Sequence, residues 1–263
     1  MEEGNAGVQK LQHRGGIDVG KKGPSRHLKR LPSPSFWSIR RKSGKWIMRT
    51  SPGPHSLKTS IPVGVVLRDE LKYAKSAKEA KTIVLQRKIF IDGKSRVNKR
   101  YPIGLMDVIS VPDSKEFFRV LPDHGRKLKF LPITEDDAKH KLVKITGKKT
   151  QPGGKIQLNL HDGCNKVVSA EEDNYKVNDV LKISVPEKDI EDHIEFKEMQ
   201  QSIVTGGRSQ GAQGMIIGLG PEPGWKKTCT IRTPEGEDVR TLARYVFVVG
   251  SKEPVIALQA GEE

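Results

Sequence analysis

The chain has 263 residues, a formal net charge of +15 and an isoelectric point near 9.7, which allows about one to three domains and points to a polyanion as partner. No apolar run approaches the roughly 18 residues a spanning helix requires, and no charged segment leads into an apolar signal core, so neither an integral membrane protein nor a secreted one is expected. Cys164 and Cys229 stand alone without a C-x-x-C or Cys/His cluster, which excludes a disulfide framework or a cysteine metal site and fits a reducing, cytoplasmic compartment.

The charge is unevenly placed. Residues 1–60 carry 13 Lys and Arg against 3 Asp and Glu, and 61–111 carry 11 against 5. Residues 112–198 carry 16 against 17, and 199–263 carry 7 against 7. One end of the chain therefore faces a polyanion, and nucleic acid fits that end better than a membrane surface, because no amphipathic helix there carries large apolar residues.

Residues 1–20 are polar, Gly-rich and without period, a pattern expected to stay disordered unless a partner orders it. Residues 21–60 interleave cations with Phe36, Trp37, Trp46 and His55 and are broken repeatedly by proline. Such rings either stack on unpaired bases beside phosphate-neutralising cations or pack back on the protein as satellite core. The two readings stand level here and can hold for different residues. The candidate RNA contacts in this extension are Arg26, His27, Lys29, Arg30, Arg40, Arg41, Lys45, Trp46 and Arg49.

From Ile61 to Val111 the spacing of Leu67, Leu71 and Ala74 predicts a short amphipathic helix with Arg68, Lys72 and Lys75 on its other side. Ser76 and Glu79 form a capping box that opens a second helix, with Ala77, Ala80, Ile83 and Val84 inward and Lys78, Lys81, Arg87 and Lys88 outward. The period then changes. Ile89–Ile91 meets Asp92-Gly93, a two-residue hairpin turn, followed by Lys94, Arg96, Lys99 and Arg100 and a mostly apolar strand over 106–111 broken by Asp107 and Ser110. Cationic helix faces leading into a hairpin with a cationic far strand predict one continuous positive surface. This order of elements, carried by LRDELKYA, SAKEAKTIV, IFIDGK and GLMDVISV, resembles the S-four-type RNA-binding module.

Residues 112–198 read as short strands and turns. A hairpin around Asp123-His124-Gly125, a Thr134/Asp137 capping box and strands over 142–145, 156–160, 166–168 and 180–185 suggest a small antiparallel barrel or folded sheet that acts mainly as a spacer. The acidic stretch 187–198 alternates with Ile190, Ile194 and Phe196, as a solvated strand face does. In 199–250, SIVTGGR, Gly211, Gly214 and the strand 215–217 resemble a KOW motif, the strand–loop–strand unit of small SH3-like barrels. Gly206, Gly207 and Gly214 are its structural glycines, Arg208 is a weaker RNA candidate, and strands over 229–232 and 244–249 complete the barrel. Residues 251–263 are a tail.

GPSRHLKRLPSPSFW and RTSPGPHSLK, continuing through LRDELKYA, YPIGLMDVISV, VTGG and VFVVG, resemble the archaeal and eukaryotic S-four-e family of small-subunit ribosomal proteins over residues 23 to 258. Some twenty residues precede the usual family start, so no role is assigned to 1–20. The resemblance implies an α+β multidomain chain: a basic extension (1–60), the S-four-type module (61–111), a central all-β domain (112–198) and a KOW SH3-like barrel (199–250). It also implies small-subunit ribosomal RNA and neighbouring ribosomal proteins as partners, and location in the cytoplasmic small subunit.

Enzymatic motifs are missing from the chain. The seven histidines are dispersed, no G-x-S-x-G elbow occurs, and Gly147-Lys148 has Leu142 where a phosphate-binding loop needs glycine. No catalytic residue, cofactor, metal or small-molecule substrate is expected. Two rival readings remain: an RNA-modifying enzyme that uses the module for targeting, for which two small β domains leave little room, and a KOW-bearing transcription or translation factor.

Overall fold

The computed structural model describes residues 27–169, 173–220, 227–251 and 253–258. Arg26 and the segment 1–20 lie outside the described residues. The fold is mostly β: three five-stranded antiparallel sheets and two two-stranded ribbons, with few and short helices.

In the extension, Leu28–Lys29 pairs with Trp46–Ile47. Trp37 is buried and donates its indole N–H to the Ser60 carbonyl at 3.0 Å, packing into one core with Ile47, Ile61 and Val63. A proline-broken stretch unable to build its own core thus borrows that of the module behind it.

The helical turns begin earlier than the period predicts. Helix α1 (Val63–Val65) runs into a π-helical turn, Val66–Glu70, and the chain leaves helical geometry at Lys72, whose φ is 60°. Leu71 and Ala74 are therefore not on one continuing helix; Ala74 is buried in the core with Leu67 and Ala80, and its N–H bonds the Leu67 carbonyl at 3.1 Å. Valine-rich sequence reads poorly as helix, but complete burial of 63–67 overrides that weak local preference. Gly64 permits this close fit, since a Cβ there would lie 2.8 Å from the Met48 methyl group. Helix α2 (Ala77–Leu85) follows the expected cap: the Ser76 hydroxyl accepts from the Glu79 N–H at 3.2 Å, and the Glu79 carboxylate accepts from the Lys75 N–H at 2.8 Å.

The first five-stranded sheet runs in the order Lys94–Ser95, Phe90–Ile91, Val108–Val111, Glu116–Asp123, Lys127–Ile133. The Asp92-Gly93 turn has φ of 48° and 67°, the left-handed pair a tight hairpin demands. The hairpin around Asp123-His124-Gly125 hydrogen-bonds to Val108–Val111, so this sheet does not stop at Val111 but continues to Ile133 and the Thr134 cap of helix α3 (Glu135–Ala138).

The second sheet runs Asn165–Val168, Ile156–Leu160, His140–Thr150, Val180–Ser184, Ile190–Ile194 around Val143, Ile145, Leu158, Leu181 and Ile183. The third runs Asp238–Leu242, Thr228–Arg232, Gln213–Leu219, Gln201–Val204, Val246–Gly250. Its core is continuous with Leu121 and Leu131 of the first sheet, with Met106 in the turn before Val108–Val111, and with Leu142 and Val180 of the second.

Candidate nucleic-acid interface

The two tryptophans of the extension part company. Trp37 is core. Trp46 is 53% exposed, with the His27 ring centroid 5.6 Å away on one side and Lys45 Nζ 5.4 Å from its own centroid. Trp46 thus presents an open ring face to solvent with one lysine and one imidazole beside it.

Around it the arginines divide in the same way. Arg41 donates to the carbonyls of Leu31, Ser33 and Pro34 at 3.1, 3.1 and 2.9 Å, so its guanidinium clamps the 31–34 turn. Arg30 donates to the Arg40 carbonyl at 3.0 Å. Lys29, Arg40 and Lys45 are exposed and Arg49 is half-buried, none with a side-chain hydrogen bond or ion pair among the described residues.

In the module, Lys72, Lys75, Lys78, Lys81, Arg87, Lys94 and Arg100 are exposed, also without such a partner among the described residues. Others are engaged. Arg68 forks onto Asp69 at 3.0 and 2.6 Å, Lys88 pairs with Asp113 at 2.8 Å, and Arg96 lies 4.5 Å from the Tyr101 ring centroid. Lys99 is half-buried. Of the expected cationic far strand, only Lys94 lies in the strand itself; Arg96 has folded onto Tyr101, and Lys99 and Arg100 belong to the next turn.

The hairpin tip has a different duty from the one its sequence suggests. A Cβ on Gly93 would come within 2.8 Å of Pro186, so the turn is docked on the second sheet. Asp92, beside it, reaches Lys141 at 2.7 Å. Lys141 is 1% exposed and also meets Asp107 at 2.6 Å and Asp162 at 3.7 Å. His55 Nε2 lies 3.0 Å from Asp107, whose second oxygen accepts from the Gly104 N–H at 2.8 Å. Extension, first sheet and second sheet thus share one buried ionic knot.

Burial alone would raise the Asp107 carboxyl, but the Lys141 ammonium and His55 hold it below the usual carboxylate range. For Lys141, burial is outweighed by Asp107 and Asp92, and its affinity for its proton rises. Asp92 moves up because burial outweighs its lysine. His161 accepts from the Lys144 N–H at 3.0 Å and faces the Leu105 carbonyl at 3.2 Å, which fixes a neutral ring protonated on Nε2. Burial, helped by the Lys141 charge, pushes its pKa down to about 4.

Lys144 ties the second sheet to the third. Its Nζ donates to the carbonyls of Ala243, Arg244 and Val246 at 3.1, 3.0 and 2.6 Å, using all three protons of the ammonium form. Burial pulls its pKa down to about 7. In the third sheet, Arg208 is exposed in the loop after Val204, and a Cβ on Gly206 would lie 2.8 Å from the Tyr245 ring. Gly207 has φ of 89°, and a side chain on Gly214 would collide with the Arg232 carbonyl.

Relatives of this sequence agree with one another. The model for ribosomal family S4e matches residues 114–190, and the RS4NT (NUC023) domain matches 22–58. Small ribosomal subunit protein eS4 of Methanococcus aeolicus is 44% identical over 246 residues, which is 91% of this chain and 100% of that protein. The chain belongs to the S4e ribosomal family. Its counterpart in Methanocaldococcus jannaschii is 43% identical, covering 91% of this chain and all of the relative. The crystal structure of 30S ribosomal protein S4e from Thermoplasma acidophilum superposes with a TM-score of 0.63 at 30% identity, covering 73% of this chain and 96% of that one.

Sequence reasoning missed the buried knot. Lys141 and Lys144 look like any cations of a near-neutral segment, and Asp107 looks like a flaw in an apolar strand. The available signal was periodicity: in KLVK both lysines sit within a strand whose neighbours on either side, Leu142, Val143 and Ile145, are all buried. Among the described residues no three His, Cys, Asp or Glu side chains converge as a metal site requires, and no helix is long and apolar enough to cross a membrane.

Proposed function

We propose that this chain is a structural, non-enzymatic constituent of the small ribosomal subunit in the cytoplasm, held there by ribosomal RNA and by neighbouring ribosomal proteins. The observation that carries the reading is the set of exposed cations on the extension and module of an S4e-family chain that have no hydrogen-bond or ion-pair partner among the described residues, in contrast to Lys141 and Lys144, which are turned inward at the joint between the sheets. In this reading Lys29, Arg40, Lys45, Lys72, Lys75, Lys78, Lys81, Arg87, Lys94 and Arg100 meet phosphates, and Trp46 stacks with His27 beside it. Arg30, Arg41, Arg49, Arg68, Lys88, Arg96 and Lys99 act at closer quarters, shaping the surface as well as contacting RNA. Arg26 joins them by sequence alone.

The division we favour is a basic extension over 1–60, an S-four-type module over 61–111 whose sheet is lengthened to Ile133, a central β domain to 198, and a KOW SH3-like barrel over 199–250 followed by a tail. Three glycines support the barrel reading: Gly206 and Gly214 sit where a Cβ would collide, and Gly207 has a φ of 89° that a side chain would strain.

The test is a salt series on the free protein and the particle. Neutralising about six phosphates gives a log–log slope of about −4 to −5 for the isolated chain on RNA. The chain embedded in the subunit is expected to survive the same wash at one copy per particle. Loss into the soluble fraction would instead favour a transient factor. Reversing Lys78, Lys81, Lys94 and Arg100 to Glu should block incorporation; unchanged incorporation would remove the module from the interface.

A further inference from the structure

A cavity of about 380 Å³ opens where the extension, the first two sheets and the loop after Val204 come together. Its walls are formed by the rings of Phe36 and His55 from the extension, His161 from the second sheet's edge and Tyr245 from the turn before Val246–Gly250, with Leu105 and Leu128 between them. Polar groups stand at its edge, with Thr205 and Gln210 on the loop and the exposed Lys58 at the lip.

Two features keep this space open. Gly206 lies against the Tyr245 ring, where any Cβ would fall 2.8 Å from a ring carbon, so a larger residue would push the ring out of place. Gln210 is anchored by donating to the Lys127 carbonyl at 2.9 Å, which pins the loop over the first sheet and leaves the amide oxygen as acceptor. The Arg244 guanidinium lies 4.7 Å from the Tyr245 centroid and bonds its hydroxyl at 2.8 Å, placing a further cation beside the cavity.

We infer that this cavity receives one unpaired nucleobase of the ribosomal RNA. The inference deepens the ribosomal reading and rests on it. A planar, apolar-faced ligand with polar edges matches aromatic walls rimmed by hydroxyl and amide groups, and Lys58 and Arg244 at the rim suit the phosphates on either side of such a base. A neighbouring protein's apolar side chain would use the walls but leave the cationic rim without a partner. The glycine pair of the VTGG segment gains a purpose here: it shapes the wall that the base would meet.

The probe is AMP, titrated into the full chain and followed by amide NMR, with inorganic phosphate as the control. AMP is expected to shift amides of Leu105, Leu128, Thr205 and Gly206, phosphate is expected not to, and Gln210→Trp, which fills the mouth, should weaken the AMP response at least fivefold. Phe36→Leu provides a second, milder variant, and unfolding midpoints within a few degrees of wild type show that both variants fold. Equal shifts by AMP and phosphate at surface lysines only would overturn the inference. In reconstituted small subunits, one base protected from chemical modification by the wild-type chain should become reactive with Gln210→Trp. Normal incorporation with no base changing reactivity would sink the cavity proposal alone, whereas failure of the wild-type chain to enter the particle would sink the ribosomal reading beneath it.

Discussion

Helix α2 and the joint between the sheets use the same residue, lysine, in opposite ways. Lys78 and Lys81 stand in solvent without partners among the described residues, while Lys141 and Lys144 are almost wholly enclosed, the first by carboxylates and the second by three carbonyls. An exposed ammonium retains its hydration and is available to a phosphate, whereas an enclosed one must have every proton bonded within the protein. Net charge by segment therefore locates the cation-rich end but hides the cations that hold the molecule together.

The contrast breaks most sharply at Lys141. Lys141→Met strands Asp92 and Asp107 in the interior and should cost about 3–5 kcal/mol in denaturant unfolding, whereas Lys78→Met should change stability by less than about 0.5 kcal/mol. Equal costs would mean the knot is solvated. The two tryptophans make a parallel test: Trp37→Ala should cost about 3–5 kcal/mol of stability. Trp46→Ala should leave folding intact and weaken RNA binding by about 1–3 kcal/mol.

Lys144→Met orphans three carbonyls, and we expect a loss of about 3 kcal/mol in urea unfolding, with protection from hydrogen exchange falling first around 243–246. Acid offers a finer probe. The folded-state pKa of His161 is about 4, below its usual value, so the unfolded chain takes up the proton first. The stability this ring contributes is present above about pH 6.5 and is lost as pH falls toward 4, amounting to at most about 3 kcal/mol. His161→Gln should flatten that part of the profile. The smallest effect concerns salt: Lys78→Gln should reduce the slope of RNA affinity against salt by slightly less than one unit without moving the unfolding midpoint.

Much of the local structure was legible in the sequence. The Ser76/Glu79 and Thr134/Asp137 caps, the Asp92-Gly93 turn and most strands follow from side chains acting over two to four positions. What could not be read depends on distant partners. Val63–Glu70 is helical because its surroundings bury it completely at the start, and the 116–133 hairpin belongs to the first sheet because Val108–Val111 offers it an edge. The exposed cations were legible as a class but not individually: nothing local separates Arg41, which clamps a turn, from Arg40, which points to solvent. Trp37 and Trp46 were equally indistinguishable until one was found to reach Ser60.

The spacing of the Lys144 bonds has a consequence for how the chain is made. Its partners lie 99 to 102 positions downstream, and His55 meets Asp107 across 52. Synthesis proceeds from the N-terminus, and domains generally fold in that order as they emerge. The extension with its exposed Trp46 and helix α2 are therefore made while the strands that Lys144 ties together are still being translated. The nascent protein thus exposes its cationic surface before it has a fixed shape, and the last of the three carbonyls that hold Lys144 is supplied only when residue 246 has been made.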